Sequence, residues 1–144
     1  MEKIFHTQSV EETESVGCEL ARSLDAGKPH FIAMYGDLGV GKTAFVRGLA
    51  SVLAPSARVK SPTYTVVNKY DGGALPLYHL DVYRINDEDE LYSIGFDDYV
   101  NTGICVVEWS ENIPESIPTD AICVRIEKEG ENFEKRKITI EVQE

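Results

Sequence analysis

The chain has 144 residues, 42% of them hydrophobic and 27% charged, a composition that builds one folded domain and excludes a disordered or fibrous chain. Fourteen Lys and Arg stand against 25 Asp and Glu, so a net charge of −11 argues against a direct grip on nucleic-acid phosphates. Three widely spaced cysteines, Cys18, Cys105 and Cys123, form neither a disulfide framework nor a zinc spacing, and no apolar run is long enough to span a bilayer. The chain reads as cytosolic.

Residues 3–7 predict a short first strand. Ser9, with Glu12 three residues later, is a capping box that opens a helix. Val10, Val16, Leu20, Ala21 and Leu24 form its apolar stripe, and Gly27 is placed as the residue that ends it. Phe31-Ile32-Ala33-Met34-Tyr35 is an uninterrupted apolar run, the mark of a strand buried on both faces of a parallel sheet.

Directly after this run comes Gly36-Asp37-Leu38-Gly39-Val40-Gly41-Lys42-Thr43, which is G-x-x-x-x-G-K-[ST], the phosphate-binding P-loop. Glycines allow successive backbone N–H groups to turn inward around a polyphosphate. Lys42 brings a compact positive charge to the β- and γ-phosphates, and the Thr43 hydroxyl is suited to Mg²⁺. Phe45, Val46, Leu49, Val52 and Leu53 then recur at helical spacing until Ala54-Pro55, so the loop opens a helix whose N-terminus faces the same anion.

Thr63–Val67 and Leu75–Val82 are β-rich runs on either side of Asp71-Gly72-Gly73 and predict an antiparallel hairpin. The acid-rich stretch 87–100, with Leu91, Ile94 and Tyr99, predicts one or two short helices interrupted near Gly95. Ile104–Val107 is a second buried-type strand. Residues 121–127 and 136–142 predict a closing hairpin across a polar, glycine-containing turn. The expected architecture is α/β: a P-loop NTPase-like central mixed sheet flanked by helices, with antiparallel hairpins, in a single domain over residues 1–144.

A P-loop NTPase also needs an acid at the end of another buried strand to hold Mg²⁺ or position water. Two runs qualify, Leu77-Tyr78-His79-Leu80-Asp81 and Ile104-Cys105-Val106-Val107-Glu108, the second being the cleaner buried strand. Both acids are candidates, one for metal and one for water, against the alternative of strand-end acids paired with a neighbour such as Arg84. His79 is two residues before Asp81 and shares its face, and is also readable as a hydrogen-bonded structural residue. Alternation points Trp109 away from Glu108, as a core ring, a partner contact or a pocket wall. Ser61-Pro62-Thr63-Tyr64-Thr65 offers three hydroxyls on a stiffened segment, open between a γ-phosphate-sensing switch and an ordinary loop. Asn68-Lys69-Tyr70-Asp71 matches the guanine-reading N-K-x-D, but it precedes both acid candidates and follows no D-x-x-G, so it is assigned to turn chemistry.

Taken in order, Gly-Asp-Leu-Gly-x-Gly-Lys-Thr at 36–43, Ser-Pro-Thr-Tyr-Thr at 61–65, His-Leu-Asp-Val-Tyr-Arg at 79–84 and Val-Glu-Trp at 107–109 closely resemble the bacterial TsaE family, also called YjeE. The resemblance covers nearly the whole chain. It implies an ATPase required for N6-threonylcarbamoyladenosine in tRNA, with ATP and Mg²⁺ as cofactors. It further implies that Lys42 binds the ATP phosphates, that Thr43 and Glu108 ligate Mg²⁺, that Asp81 is an essential carboxylate and that Trp109 is a sensitive neighbour. Residues 61–65 would act as a switch loop, and the segments around 6–10 and 130–133 would lie near the adenine. The implied partners are TsaD and TsaB, which carry out threonylcarbamoyl transfer, so tRNA is reached indirectly through that complex, without a membrane and without a metabolite acceptor.

No residue declares itself an arginine finger; Arg84 is the nearest candidate. A missing finger lowers the rate by about 10³–10⁵, so slow hydrolysis by the isolated chain and stimulation by partners are expected. Two other readings remain at this stage: a small-molecule kinase, disfavoured by six scattered arginines, and a nucleotide-dependent interaction module that needs no hydrolysis.

Overall fold

The structure, a computed structural model, describes residues 1–36, 41–62, 66–131 and 134–142. Seven strands form one mixed sheet: β1 (Glu2–Thr7), β2 (His30–Tyr35), β3 (Val67–Tyr70), β4 (Leu77–Asp81), β5 (Ile104–Glu108), β6 (Ile122–Lys128) and β7 (Arg136–Glu141). Four helices accompany them: α1 (Val10–Ser23), α2 (Lys42–Leu53), α3 (Glu88–Ser93) and α4 (Phe96–Thr102). The spatial order is β1-β7-β6-β2-β5-β4-β3. The central strands β6, β2, β5 and β4 run parallel, while β7 and β3 are antiparallel to their neighbours.

The burial patterns explain the sequence patterns. β4 and β5 are buried at every position and β2 at its four inner positions, because helices cover both faces of this part of the sheet. α1 and α2 pack on one face through Leu20, Phe45, Leu49 and Leu53 against Ile32, Met34, Leu77 and Val106. On the opposite face Leu91 and Phe96 close over Phe31, Leu80, Cys105 and Val107. β6 and β7 instead alternate buried and less buried residues, since only the α1 and α2 side of that half is covered.

α1 and α2 cross at unusually close range. A Cβ on Gly17 would stand 2.2 Å from the Phe45 carbonyl oxygen, and one on Gly48 only 1.9 Å from that of Glu14. These glycines let the two backbones touch, which draws the N-terminus of α2 inward over the sheet edge. The Ser9 half of the capping box is present, with Ser9 Oγ accepting from the Glu12 amide at 3.1 Å, while the Glu12 carboxylate accepts from the Gln8 amide, one residue before the cap, at 2.8 Å.

Several expectations are corrected. α1 ends at Ser23 with Leu24 extended, and Gly27 belongs to a separate turn held by the Asp25 side chain at 3.0 Å. Val10 is 42% exposed rather than part of the buried stripe. Of the strand expected over Thr63–Val67, Val66 lies outside β3 with a φ of 69°, Val67 begins it, and residues 63–65 lie outside the described residues. Asn68, Lys69 and Tyr70 are strand rather than turn, and Asn68 Nδ2 donates to the Lys60 carbonyl at 3.0 Å, a contact eight residues away that local sequence does not announce. The β3–β4 hairpin, the break at Gly95 and the β6–β7 hairpin stand as expected.

Candidate active site

In an open α/β sheet the carboxyl ends of parallel strands form a crevice, because the chain leaves each strand there to enter a helix or loop on one face or the other. Here that crevice lies over β2, β5 and β4. α2 begins at its edge, after Gly41, which holds φ at 102°, a left-handed conformation that a side chain would strain. A cleft of about 410 Å³ results, lined by Gly41, Lys42, Thr43, Ala44, Arg47, Ser61, Asp81, Glu108, Trp109 and Val10.

Lys42 is the first residue of α2 and only 5% exposed. Its ammonium donates to the Gly36 carbonyl at 2.8 Å and stands 4.0 Å from the centre of the Trp109 ring. The lysine is therefore held across the mouth of the loop by a carbonyl and an aromatic face, both of which favour a cation. Thr43 follows, half-buried on the cleft wall. The α2 N-terminus adds first-turn backbone donors, which have no acceptor within the helix itself, and the positive end of its dipole to the same side.

Asp81 and Glu108 end β4 and β5 and are register partners across the parallel pair. Both are buried, at 6% and 4% exposure, on the face that carries α2. Asp81 Oδ1 accepts from the Tyr83 amide at 2.9 Å, a local turn that terminates the strand, while its own amide donates to the Val66 carbonyl at 2.8 Å. Glu108 is hydrogen-bonded through Oε2 to Nε2 of His79, which is fully buried. The two carboxylates and the Thr43 hydroxyl are hard oxygen donors, the set that suits Mg²⁺ and not a soft thiophilic metal. Buried acids side by side are costly without a cation, and Lys42 shares their cleft.

Trp109 differs from simple strand alternation. It packs against the second core, as alternation requires, yet its φ of 63° turns the chain out of the strand. Ser110 supports this turn by donating its hydroxyl to the Val107 carbonyl at 2.8 Å in full burial. The ring stands at the strand end as a cleft wall, tilted against Tyr83 with centroids 4.8 Å apart. It is thus both core ring and pocket wall.

The structure also sorts the remaining candidates. Ser61 lines the cleft; Thr63, Thr65, Asp37, Leu38, Gly39 and Val40 lie outside the described residues. Arg84 is exposed and does not line the cleft; the arginine that does is Arg47. Its Nε donates to Glu14 at 2.8 Å, an exposed pair between α2 and α1. Arg47 follows Thr43 by one helical turn, so helical spacing already placed it on that face. Val10, expected in the apolar stripe of α1 and, by the family resemblance, in a segment near the adenine, also lines the cleft. An apolar groove of about 280 Å³ between α1 and the β1–β7 edge, lined by Phe5, Leu20 and Val142, lies apart from these groups. Among the described residues no helix is long and apolar enough to cross a membrane.

Comparison with known proteins finds relatives over nearly the whole chain. The sequence model of the threonylcarbamoyl adenosine biosynthesis protein TsaE matches residues 7–138. The chain is 38% identical over 136 residues to a tRNA threonylcarbamoyladenosine biosynthesis protein TsaE of Bacillus subtilis, spanning 94% of this chain and 82% of that protein. It is 36% identical over 137 residues to the protein of that name from Treponema pallidum, spanning 93% and 96%. A crystal structure of YdiB from Bacillus subtilis superposes with a TM-score of 0.80 at 33% identity, covering 99% of this chain and 86% of that one.

Proposed function

Since this chain belongs to the TsaE family, we propose that it is a Mg²⁺-dependent ATPase serving threonylcarbamoyladenosine formation in tRNA through TsaB and TsaD. The observation that carries the ATPase reading is the convergence of Lys42, Thr43, Asp81, Glu108 and Trp109 on one cleft at the carboxyl ends of the parallel strands.

The reaction is ATP + H₂O → ADP + phosphate. The chain's share is positioning and charge stabilisation, since phosphoryl transfer asks for little covalent chemistry from the protein. Lys42 exchanges the Gly36 carbonyl and the Trp109 face for phosphate oxygens, and the α2 N-terminus stabilises the same charge. Thr43 and Glu108 would hold Mg²⁺, which when bound would supply neutralisation of the charge that develops on the phosphates. Asp81, fixed by the Tyr83 amide, orients the attacking water. Trp109 walls the cleft and limits the water that competes for Lys42.

The net charge of −11 favours action through protein partners over direct capture of tRNA. The deciding experiment measures ATP turnover with and without TsaB and TsaD, alongside tRNA modification over several cycles. Slow hydrolysis by the isolated chain, accelerated by the partners and required for repeated modification, is the expected result. Fast hydrolysis indifferent to the partners refutes it.

A further inference from the structure

We propose that His79 is a positioning residue that orients the Glu108 carboxylate for a divalent cation; this rests on the reading of the cleft as a Mg²⁺-nucleotide site. His79 lies within β4 at 0% exposure, and its Nε2 is hydrogen-bonded to Glu108 Oε2 on β5. The contact is diagonal. The register partner of His79 is Val106, while Glu108 stands opposite Asp81. The Glu108 side chain is therefore drawn back along the sheet face by the imidazole, on a strand whose neighbours cannot move without breaking the parallel ladder.

The chemistry of the contact is directional. An ionised carboxylate only accepts, so the shared proton belongs to Nε2. One Glu108 oxygen is then engaged, rotation of the carboxylate is blocked, and the second oxygen remains for the cation. Orienting partners of this kind set the geometry of metal ligands from behind.

The other end of the ring argues against a purely structural role. Nδ1 is buried and has no hydrogen-bond partner among the described residues. Burying an unmatched nitrogen weakens the fold, and an apolar residue of similar size would fill the place without that penalty. The Tyr70 ring, with its centroid 6.4 Å from that of the imidazole, offers packing but is tilted at 42°. His79 therefore contributes through Nε2, and what Nε2 holds is Glu108.

The test compares His79→Leu, which keeps volume and removes the donor, with His79→Gln, whose amide nitrogen reaches the place of Nε2. Mn²⁺ binding in the presence of a non-hydrolysable ATP analogue is measured by electron paramagnetic resonance, together with metal-free nucleotide affinity and thermal melting. His79→Leu is expected to weaken Mn²⁺ binding about 10- to 100-fold without changing metal-free nucleotide affinity, while the buried Glu108 oxygen left without its partner lowers the melting temperature. His79→Gln is expected to retain most of the Mn²⁺ affinity. Unaltered Mn²⁺ binding in His79→Leu overturns the proposal, as does a folded His79→Gln that has lost it. If the unmodified chain shows no nucleotide-dependent Mn²⁺ binding, the Mg²⁺-nucleotide reading itself fails, and the proposal with it.

Discussion

Replacing Lys42 with Ala tests the centre of the proposed mechanism. In the structure the ammonium is not waiting in water: it is 5% exposed, bonded to the Gly36 carbonyl at 2.8 Å and 4.0 Å above the Trp109 ring. Binding ATP therefore exchanges existing contacts for new ones. Two charge-assisted phosphate bonds contribute about 3–6 kcal/mol, at about 1.5–3 each. Against this stand the lost carbonyl bond, about 1–2 kcal/mol, and the lost ring contact, about 0.5–1. The difference is about 1.5–3 kcal/mol, so Lys42→Ala should weaken ATP binding roughly 10- to 150-fold. Titration calorimetry reads the affinity directly. Trp109 is the single tryptophan of the chain, so its emission reports the departure of the ammonium from its ring in both the ATP-bound form and the variant. An unchanged affinity, or a tryptophan signal indifferent to both ATP and the substitution, would refute the assignment of Lys42 to phosphate.

Glu108→Gln and Asp81→Asn keep the hydrogen-bond acceptors and remove the charges; both should retain nucleotide binding within about tenfold while turnover falls by about 10² or more, as read by single-turnover hydrolysis. Gly48→Ala places a Cβ 1.9 Å from the Glu14 carbonyl oxygen, so α1 and α2 must separate; thermal denaturation should show a loss of about 1–3 kcal/mol. Burial pushes the Cys105 thiol up to about 12 from 9.0. Its folded pKa is raised, so the stability it contributes is complete below pH 9 and is lost as pH rises toward 12, at about 1.4 kcal/mol per unit. Alkaline unfolding of Cys105→Ala compared with the unmodified chain should show this extra slope removed.

Much of the fold was legible because its signals are local. The unbroken apolar run at 31–35 announces a strand covered on both faces, and Phe45, Leu49 and Leu53 announce a helix with one buried face. Misassignments arose where a distant contact overrode local chemistry. Asn68 looks like a turn residue but is spent on the Lys60 carbonyl, which ties strand β3 to the segment leading into residue 61. Gly27 looks like a helix terminator, yet the helix already ends at Ser23, where Leu24 turns extended. Val10 looks like core by its spacing but sits at the very N-terminus of α1, above the cleft.

By itself the sequence determined the P-loop, its strand and its helix, and two acids at the ends of buried strands, because glycine, lysine and carboxylate chemistry at fixed spacing admits few uses. Only the tertiary structure decided that Asp81 and Glu108 are register partners, that His79 holds Glu108 across strands, and that Arg84 stands outside the cleft. The physical reason is that register and strand order are set by pairings between residues far apart in the chain, such as Ala33 with Val107, 74 positions apart, and Leu80 with Val107, 27 apart. Local propensity carries no record of those pairings. The direction of the Trp109 ring is decided likewise, by a left-handed residue held in place through the packing and hydrogen bonding of the residues around it.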